Sequence, residues 1–425
     1  MKNKQLLAFP LLAGALFLGT SCNNSKTNQE LTSGVIRQNM DTTIAPGDNF
    51  TAYVNGNWIK NTEIPADKAA YGIGAIINDR AQDDVKAIIE NAAKGNPDEG
   101  SEEQKIGDFY DSYINMKVRD SIGLTPLNEE FKKIEALSSV KDLASYFAYA
   151  NKIGNTPPFS LGITEDFKNP KKYTLYTWQD GLGLPDREYY LQKDPKSVDI
   201  RTKYVAHIEK MLSIAGIADA KAKAAQIMAL ETLMASKQMK KEDTRDIAKL
   251  YNKYAIKDLN TLMPDFDWKT LLSEAGIKNP DTLMVAQVAY TKDLNAIIKN
   301  TPLDTWKTYL KWNLINGSAS YLNSALDNQN FEFYSKTLHG VKEQKPQWRR
   351  AVSVVNGGLG EMVGKLYVEK HFPPAAKERM LQLVQNLLKA YEISIKELDW
   401  MSPDTKKQAL DKISKFTPKI GYPDK

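Results

Sequence analysis

Cysteine occurs once and histidine three times in 425 residues, which leaves little material for disulfides or for a soft-metal site. The histidines, His207 in "AHIEKML", His339 in "TLHGV" and His371 in "EKHFPP", stand far apart, and none opens the H-E-x-x-H pair that holds zinc on a helix. No serine occupies a G-x-S-x-G turn, so that route to a nucleophile is missing as well. Charge of one sign is not in excess: 57 basic and 52 acidic residues leave a net charge of +5. The basic residues are spread without a basic tail, which gives no electrostatic footprint for nucleic acid. No internal repeat of fixed period is present, which excludes a solenoid.

The one cysteine is informative through its position. The chain opens "MKNKQLLAFPLLAGALFLGTSCNN": a basic start, an apolar stretch from Leu6 to Leu18, then small residues ending at Cys22. That is the order of a secretory signal, and the stretch is too short to span a bilayer. A cysteine straight after small residues resembles a bacterial lipobox, although Gly19 stands where that pattern prefers Leu, Val or Ile. A plain signal peptide with an incidental cysteine is the alternative. The expectation is a lipoprotein-type signal over 1–22, lipidation at Cys22 and a polar, flexible tether over 23–40. Several acyl chains on Cys22 anchor a soluble body stably to a membrane, in the bacterial cell envelope, periplasmic or surface-facing. A lipidated Cys22 also leaves no disulfide within this chain.

The chain as a whole has an ordinary globular balance, 42% hydrophobic and 26% charged, and a length for which two domains are the default. Helical periodicity dominates from Asp79 onward. "DDVKAIIENAAKG" (83–95) places Val85, Ile88, Ile89 and Ala92 on one face and stops at Gly95. "EEQKIGDFYDSYINM" repeats the pattern with Ile106, Phe109, Tyr110 and Tyr113. Long amphipathic stretches occupy 197–241, 243–260, 282–299, 303–326 and 374–416. Strand signals are few: "KYTLYTWQDG" (172–181) alternates as a hairpin strand does, and "GLGLPDREYYL" (181–191) reads as an ordered loop. The expected fold class is mainly α, a large multi-helix lobe with at most a small β-hairpin.

The segment "VSVVNGGLGEMVGKLYV" (352–368) carries clustered glycines before a lysine, as phosphate loops do. A Walker A loop needs glycine at 359 and a hydroxyl at 366; Leu359 and Leu366 stand there. Gly358, Gly360 and Gly364 fit a loose dinucleotide spacing, but that fingerprint requires a βαβ unit, and the surroundings are helical. No nucleotide is expected. The glycines are expected instead to allow close packing between a helix ending near Val355 and another starting near Glu361.

Five segments occur in order: "DNFTAYVNGNWIKNTEIPADKAAYG" (48–72), "GLGLPDREYYL" (181–191), "EDTRDIAKLYNKYAIKDL" (242–259), "WRRAVSVVNGGLGEMVGKLYVEKHF" (348–372) and "WMSPDTKKQALDKISKFTPKIGYPDK" (400–425). Together they resemble the N-terminal half of the neprilysin family of zinc metallopeptidases, which includes the endothelin-converting enzymes and bacterial oligopeptidases. The resemblance implies that residues 41–425 form the N-terminal helical domain of a two-lobed enzyme whose chamber admits peptides. It places the zinc in a C-terminal lobe, on H-E-x-x-H and a downstream E-x-x-x-D, with a zinc-bound water as nucleophile. The H-E-x-x-H motif does not occur in this chain. The chain as it stands is therefore expected to bind no zinc and hydrolyse no peptide, zinc being the cofactor of the complete enzyme.

Within the family, the segment matching "KAAYGIGAIINDR" carries arginines that hold a substrate's terminal carboxylate. Ala70 and Asn78 stand at the matching positions, and Arg80 lies two residues of helix further round. That departure points to endopeptidase action on oligopeptides rather than release of dipeptides. Trp58, Tyr71, Asn78 and Arg80 are the resulting candidates for the substrate chamber; for Trp58 a buried aromatic anchor is the alternative, and for the segment as a whole, packing of the lobe. Arg349 and Arg350, like Asp186-Arg187, either face peptide or pair with buried carboxylates and helix ends. The competing reading of the whole chain is a non-enzymatic helical envelope lipoprotein that binds peptides or glycans.

Overall fold

The computed structural model describes residues 34–423; the signal, Cys22 and most of the expected tether lie outside the described residues. The chain divides into two compact units at Glu63/Ile64. In the first, a 3-10 turn at Arg37–Asn39 precedes helix α1 (Phe50–Asn61), whose start is capped by Asn49 accepting from Ala52 N at 2.9 Å. Asp41 is buried, accepts from Thr43 and pairs with Lys60 at 2.6 Å. Gly56 makes room for it, since a Cβ there would lie 2.6 Å from Asp41 Cβ. Asn57 donates to Met40 O at 2.6 Å, so the last tether residues carry backbone contacts to α1.

The second unit begins with α2 (Ile73–Lys94) and α3 (Glu102–Ile114), joined by a short turn and therefore antiparallel neighbours. Gly95 ends α2, and Ser101 caps α3 by accepting from Gln104 N at 3.1 Å. The expected apolar faces are the buried ones: Ile88, Ile89 and Ala92 on α2, with Ile106, Tyr110 and Tyr113 on α3. Asn115 ends α3 and caps α4 (Met116–Ile122), after which the chain enters a larger body.

That body contains α5 (Asn128–Glu135), α6 (Leu143–Ile153), strands β1 (Phe159–Asp166) and β2 (Asn169–Gln179), then α7 (Glu188–Leu191), α8 (Pro195–Ile214) and α9 (Ala220–Lys237). It continues with α10 (Ile247–Leu250), β3 (Lys253–Ala255), α11 (Trp268–Glu274), β4 (Thr282–Val285), α12 (Val288–Asn300), α13 (Leu303–Ser318) and α14 (Ser324–Asn330). Its core is one apolar cluster with Phe147, Phe159, Phe266, Trp268 and Trp306 ring against ring at 5.2–6.3 Å. A π-helical turn, Phe331–Thr337, leads out of α14.

Two expectations from the sequence change on inspection of the fold, and a third is refined. The sheet has four strands in the order β1-β2-β4-β3, not a hairpin alone. β1 and β2 form the expected antiparallel hairpin, but β4 joins β2 in parallel and β3 closes the edge. β4 is hidden in the sequence because a short run buried on most sides, "TLMV", carries no alternation and resembles a helix start. The 243–260 stretch is likewise broken into 3-10 turns, α10 and β3, with Asp246 capping Ala248 N. Third, the glycine run does mark the junction of two helices, as expected, but with no loop between them. α15 (Gln347–His371) is two helical segments that meet there at a kink, with Leu359 outside helical geometry (φ −127°, ψ 27°). Ala351, Val352 and Val355 before the kink and Val363 after it all bury against α2 and α3, and that burial outweighs the helix cost of glycine, about 1 kcal/mol each. Of the four glycines only Gly358 answers a close approach: a Cβ there would meet the Phe109 ring at 2.7 Å, while 357, 360 and 364 face open space.

Helices α2, α3 and α15 thus form a layer with its own apolar cluster, separate from that of the body. Beyond it run α16 (Pro374–Glu397) and α17 (Pro403–Ser414), packed on each other, with no buried residue on either. Among the described residues no helix is long and apolar enough to cross a membrane.

Candidate functional site

The layer and the body enclose a cleft of about 640 Å³. One wall is the first half of α2, which brings Asn78 to the opening; the other is α14 with the π-helical turn; the floor is the 341–345 segment and Arg350. The π-turn reaches back to carbonyls five residues earlier: Thr337 Oγ1 donates to Glu332 O at 2.8 Å, and His339 Nδ1 donates to Tyr334 O at 2.6 Å. Such turns re-aim side chains locally, and here His339 lines the cleft beside Lys345.

Fixed ion pairs shape this pocket. Asp79 of α2 accepts from Lys68 at 3.0 Å and from Arg349 at 2.7 Å. Asp327 of α14, its side chain 5% exposed, accepts from Arg350 at 2.5 Å and from Gln344 at 3.1 Å. Arg349 and Arg350 therefore pair with carboxylates, the second of the two roles left open for them. Arg187 likewise donates to Gln238 O at 2.6 Å, and Asp186 accepts from Glu188 N, so both hold the 181–191 loop.

Of the four chamber candidates, the structure brings Asn78 to the cleft. Arg80 is exposed on α2 and is not part of the lining; Tyr71 is half-buried just before α2 and does not line it either. Trp58 is half-buried on α1, in the first unit. His339 and Lys345 are additions that the sequence does not single out for this role. Nothing local marks them, because a π-turn and a loop bring them there.

The most perturbed acid lies elsewhere. Glu231 of α9 is wholly buried, and burial raises its carboxyl to about 7. It accepts from Tyr190 Oη at 2.6 Å and Tyr204 Oη at 2.9 Å, and Gly183 N points at it from 3.4 Å. Three more tyrosines pin the same region: Tyr309 donates to Gly181 O, Tyr334 to Gly183 O and Tyr290 to Pro158 O. A perturbed acid often marks a reactive site, but this one is sealed in the core and serves to hold a loop.

The residues present do not fit a catalytic zinc. Among the described residues no three His, Cys, Asp or Glu side chains come together as a ligand set. His207 is buried, stacked on Phe333 at 4.8 Å with Nδ1 3.2 Å from Gln329, and burial lowers it to about 4. His371 stacks on Tyr367 at 4.6 Å, and His339 is spent on the π-turn. The cleft offers amide, hydroxyl, ammonium and carboxylate groups for holding a polar chain.

The family model for peptidase family M13, N-terminal part, matches residues 46–423. The chain is 26% identical over 403 residues to human endothelin-converting enzyme-like 1, covering 91% of this chain and 52% of that protein. It superposes on the Mycobacterium tuberculosis zinc metalloprotease ZMP1 in complex with inhibitor with a TM-score of 0.85 at 34% identity, over 92% of this chain and 60% of that one. On the open state of the same protease the TM-score is 0.75 at 35% identity, over 90% and 60%. The chain spans about half the length of the curated relatives it matches.

Proposed function

The chain belongs to the neprilysin-like peptidase family M13 and carries the N-terminal part of it, and from that premise we propose that it is the peptide-holding lobe of a zinc metalloendopeptidase acting on oligopeptides. In this reading zinc and the hydrolytic step belong to the portion that the relatives carry beyond the matched half. Residues 34–423 by themselves bind no zinc and cleave nothing. The observation that carries the reading is the cleft at Asn78, built by the segment that resembles the family's substrate wall and lined with groups that hydrogen-bond a polar chain. With Asn78 and Ala70 in place of arginines, the cleft has no guanidinium on α2 to hold a terminal carboxylate, which supports internal cleavage over dipeptide release.

The closer superposition on the inhibitor complex than on the open state, 0.85 against 0.75, supports taking the present arrangement as the closed one. α16 presents Leu383, Leu387 and Tyr391 to solvent along one stripe, a face suited to seating the remainder of the enzyme. Lipidation at Cys22 and an envelope location complete the proposal.

The test is to express the complete reading frame and, separately, residues 34–423, and to measure zinc content and hydrolysis of quenched peptides. Expected are about one zinc per chain and internal cleavage for the complete product, and neither for residues 34–423. N78R in the complete product shifts cleavage toward the second bond from the C-terminus. A complete product that binds peptides without cutting them would establish the lipoprotein receptor instead. Incorporation of labelled palmitate, lost in C22S, tests the anchor.

A further inference from the structure

Strand β1 is an edge of the four-stranded sheet, and its register fixes which backbone groups lie on the open side. Leu161 stands opposite Thr177, whose carbonyl accepts from Ala286 N at 3.2 Å, on the far side of β2. Leu161 and Thr177 therefore exchange no hydrogen bond, and the odd-numbered residues of β1 direct N–H and C=O away from β2. Leu161 N agrees with this, donating to Asn151 Oδ1 of α6 at 3.1 Å. Beyond it, the Leu161 carbonyl, both backbone groups of Ile163 and the Glu165 N–H have no partner among the described residues.

Edge strands are commonly blunted by lysine, proline, a bulge or a covering loop. Residues 159–165 contain neither lysine nor proline, the bulge comes only after Glu165, and Ile163 is 65% exposed. A pocket of about 440 Å³ lies on the sheet face beside this edge. β1 contributes Ser160 and Thr164 to it and β2 contributes Tyr176 and Trp178, with Phe167 and Leu250 adding to the lining. The β1 side chains on this face, Ser160, Gly162 and Thr164, are all small. At Gly162 a Cβ would lie 2.7 Å from the Tyr176 ring, so that ring reaches from β2 across the β1 backbone toward the open edge. A strand laid along β1 could thus place a side chain over these small residues and against the aromatic wall.

The surroundings are basic. Lys168, Lys171 and Lys172 at the hairpin end and Lys152 at the end of α6 are exposed, and none pairs with a carboxylate among the described residues. Lys168 lies over the Tyr251 ring at 4.4 Å. Asp166 is spent on Lys253 and Tyr251, which leaves Glu165 alone against four lysines.

We propose that the β1 edge is a peptide-binding site separate from the Asn78 cleft, taking an extended segment as a fifth strand with one apolar or aromatic side chain in the pocket and acidic side chains against the lysines. The two sites share no lining residue. Outward N–H and C=O groups in alternation select extended peptide backbone, and a pocket beside them selects its side chain. Charge argues against a second copy of the chain as the occupant. Antiparallel pairing of β1 with itself would bring the lysines at the hairpin end of each copy toward Lys152 of the other.

The experiment uses the full chain with Cys22→Ser and follows the fluorescence anisotropy of a labelled peptide, two glutamates followed by valine, phenylalanine, valine and threonine. Saturable binding is expected, weakened by W178A and by lysines in place of the two glutamates. I163P removes an outward N–H while leaving the bonds to β2, and is expected to weaken binding about tenfold, the worth of roughly one hydrogen bond. N78R is expected to leave it unchanged. No saturation up to millimolar peptide overturns the site, as does binding that persists undiminished in folded I163P or is lost in N78R. Should circular dichroism show I163P unfolded, I163K, which sets a charge on the same open edge, decides in its place. Self-association that I163K abolishes would assign the edge to a second copy and overturn the peptide. Zinc and hydrolysis do not enter the readout, so this site and the proposed function fail separately: an inactive chain that binds the peptide at β1 upholds the site, and an active one that does not overturns it.

Discussion

Tyr204 donates its hydroxyl to Glu231 at 2.9 Å in a part of the core that water does not reach. Burial raises the Glu231 carboxyl from 4.5 to about 7, while burial lowers His207, whose ring lies 6.5 Å from that of Tyr204, from 6.5 to about 4. The raised acid contributes about 3 kcal/mol that is fully present below pH 4.5 and lost as pH climbs through 7. The lowered imidazole works the other way: its contribution of about 3 kcal/mol is present above pH 6.5 and lost as pH falls through 4. Between pH 4.5 and 6.5 the two slopes cancel. Urea midpoints across pH are therefore expected to be flat in that window for the parent. They rise with pH in E231Q and fall with pH in H207F.

Arg119 makes no ion pair among the described residues, yet its removal is expected to be costly. Its guanidinium satisfies three carbonyls and lies 4.6 Å over the Tyr113 ring. R119A strands those acceptors and is expected to lose about 3 kcal/mol in urea unfolding. R119K recovers only part of it, because an ammonium cannot fork between Ser320 O and Leu322 O while reaching Tyr113 O.

Glycines of the same chain should respond to alanine in opposite directions. At Gly183 a Cβ would stand 1.9 Å from Tyr204 Oη, beside the Glu231 carboxylate. At Gly358 it would strike the Phe109 ring. Both substitutions are expected to cost about 1–3 kcal/mol. G357A and G364A meet nothing within 4 Å and lie in a helix, so each should add about 0.5–1 kcal/mol. Thermal unfolding of the four single variants checks the contrast.

Isolated residues 34–423 are expected to self-associate. Leu383, Leu387 and Tyr391 repeat every four residues on α16, and Trp400 and Phe416 are exposed near α17. L383E/L387E should restore a monomer in light scattering. Because α16 buries no side chain, the double variant should leave the unfolding midpoint unchanged.

The long helices are legible in the sequence because their apolar faces repeat at the helical period over many residues, as Ile88, Ile89 and Ala92 do on α2. β2 is legible by alternation. β3 and β4 are not: three and four residues are too few for a period to show, and a parallel partner more than a hundred residues away gives no local sign. The glycine run reads as a break, and the helix does kink there, at Leu359; that the chain is helical on both sides of it rests on packing against α2 and α3, which is tertiary. In the cleft, Asn78 is reached through a resemblance to a known substrate wall. That Arg349 and Arg350 pair is foreseeable from residue type, but their partners are set by tertiary packing, Asp79 by how α2 lies against α15 and Asp327 by how the layer stands on the body. His339 and Lys345 enter the cleft through a π-turn, which no spacing rule announces.

The layer joins the body at one end, where α3 meets α4 at Asn115 and where α15 begins, and a junction at one end converts angle into distance. α2 has 22 residues, a rod of roughly 33 Å, so a turn of about ten degrees at its base carries its far end through about 6 Å. That is a little more than the spacing between two strands of a sheet. A small difference in how the layer stands on the body is thus worth a whole strand's width at the far end of α2.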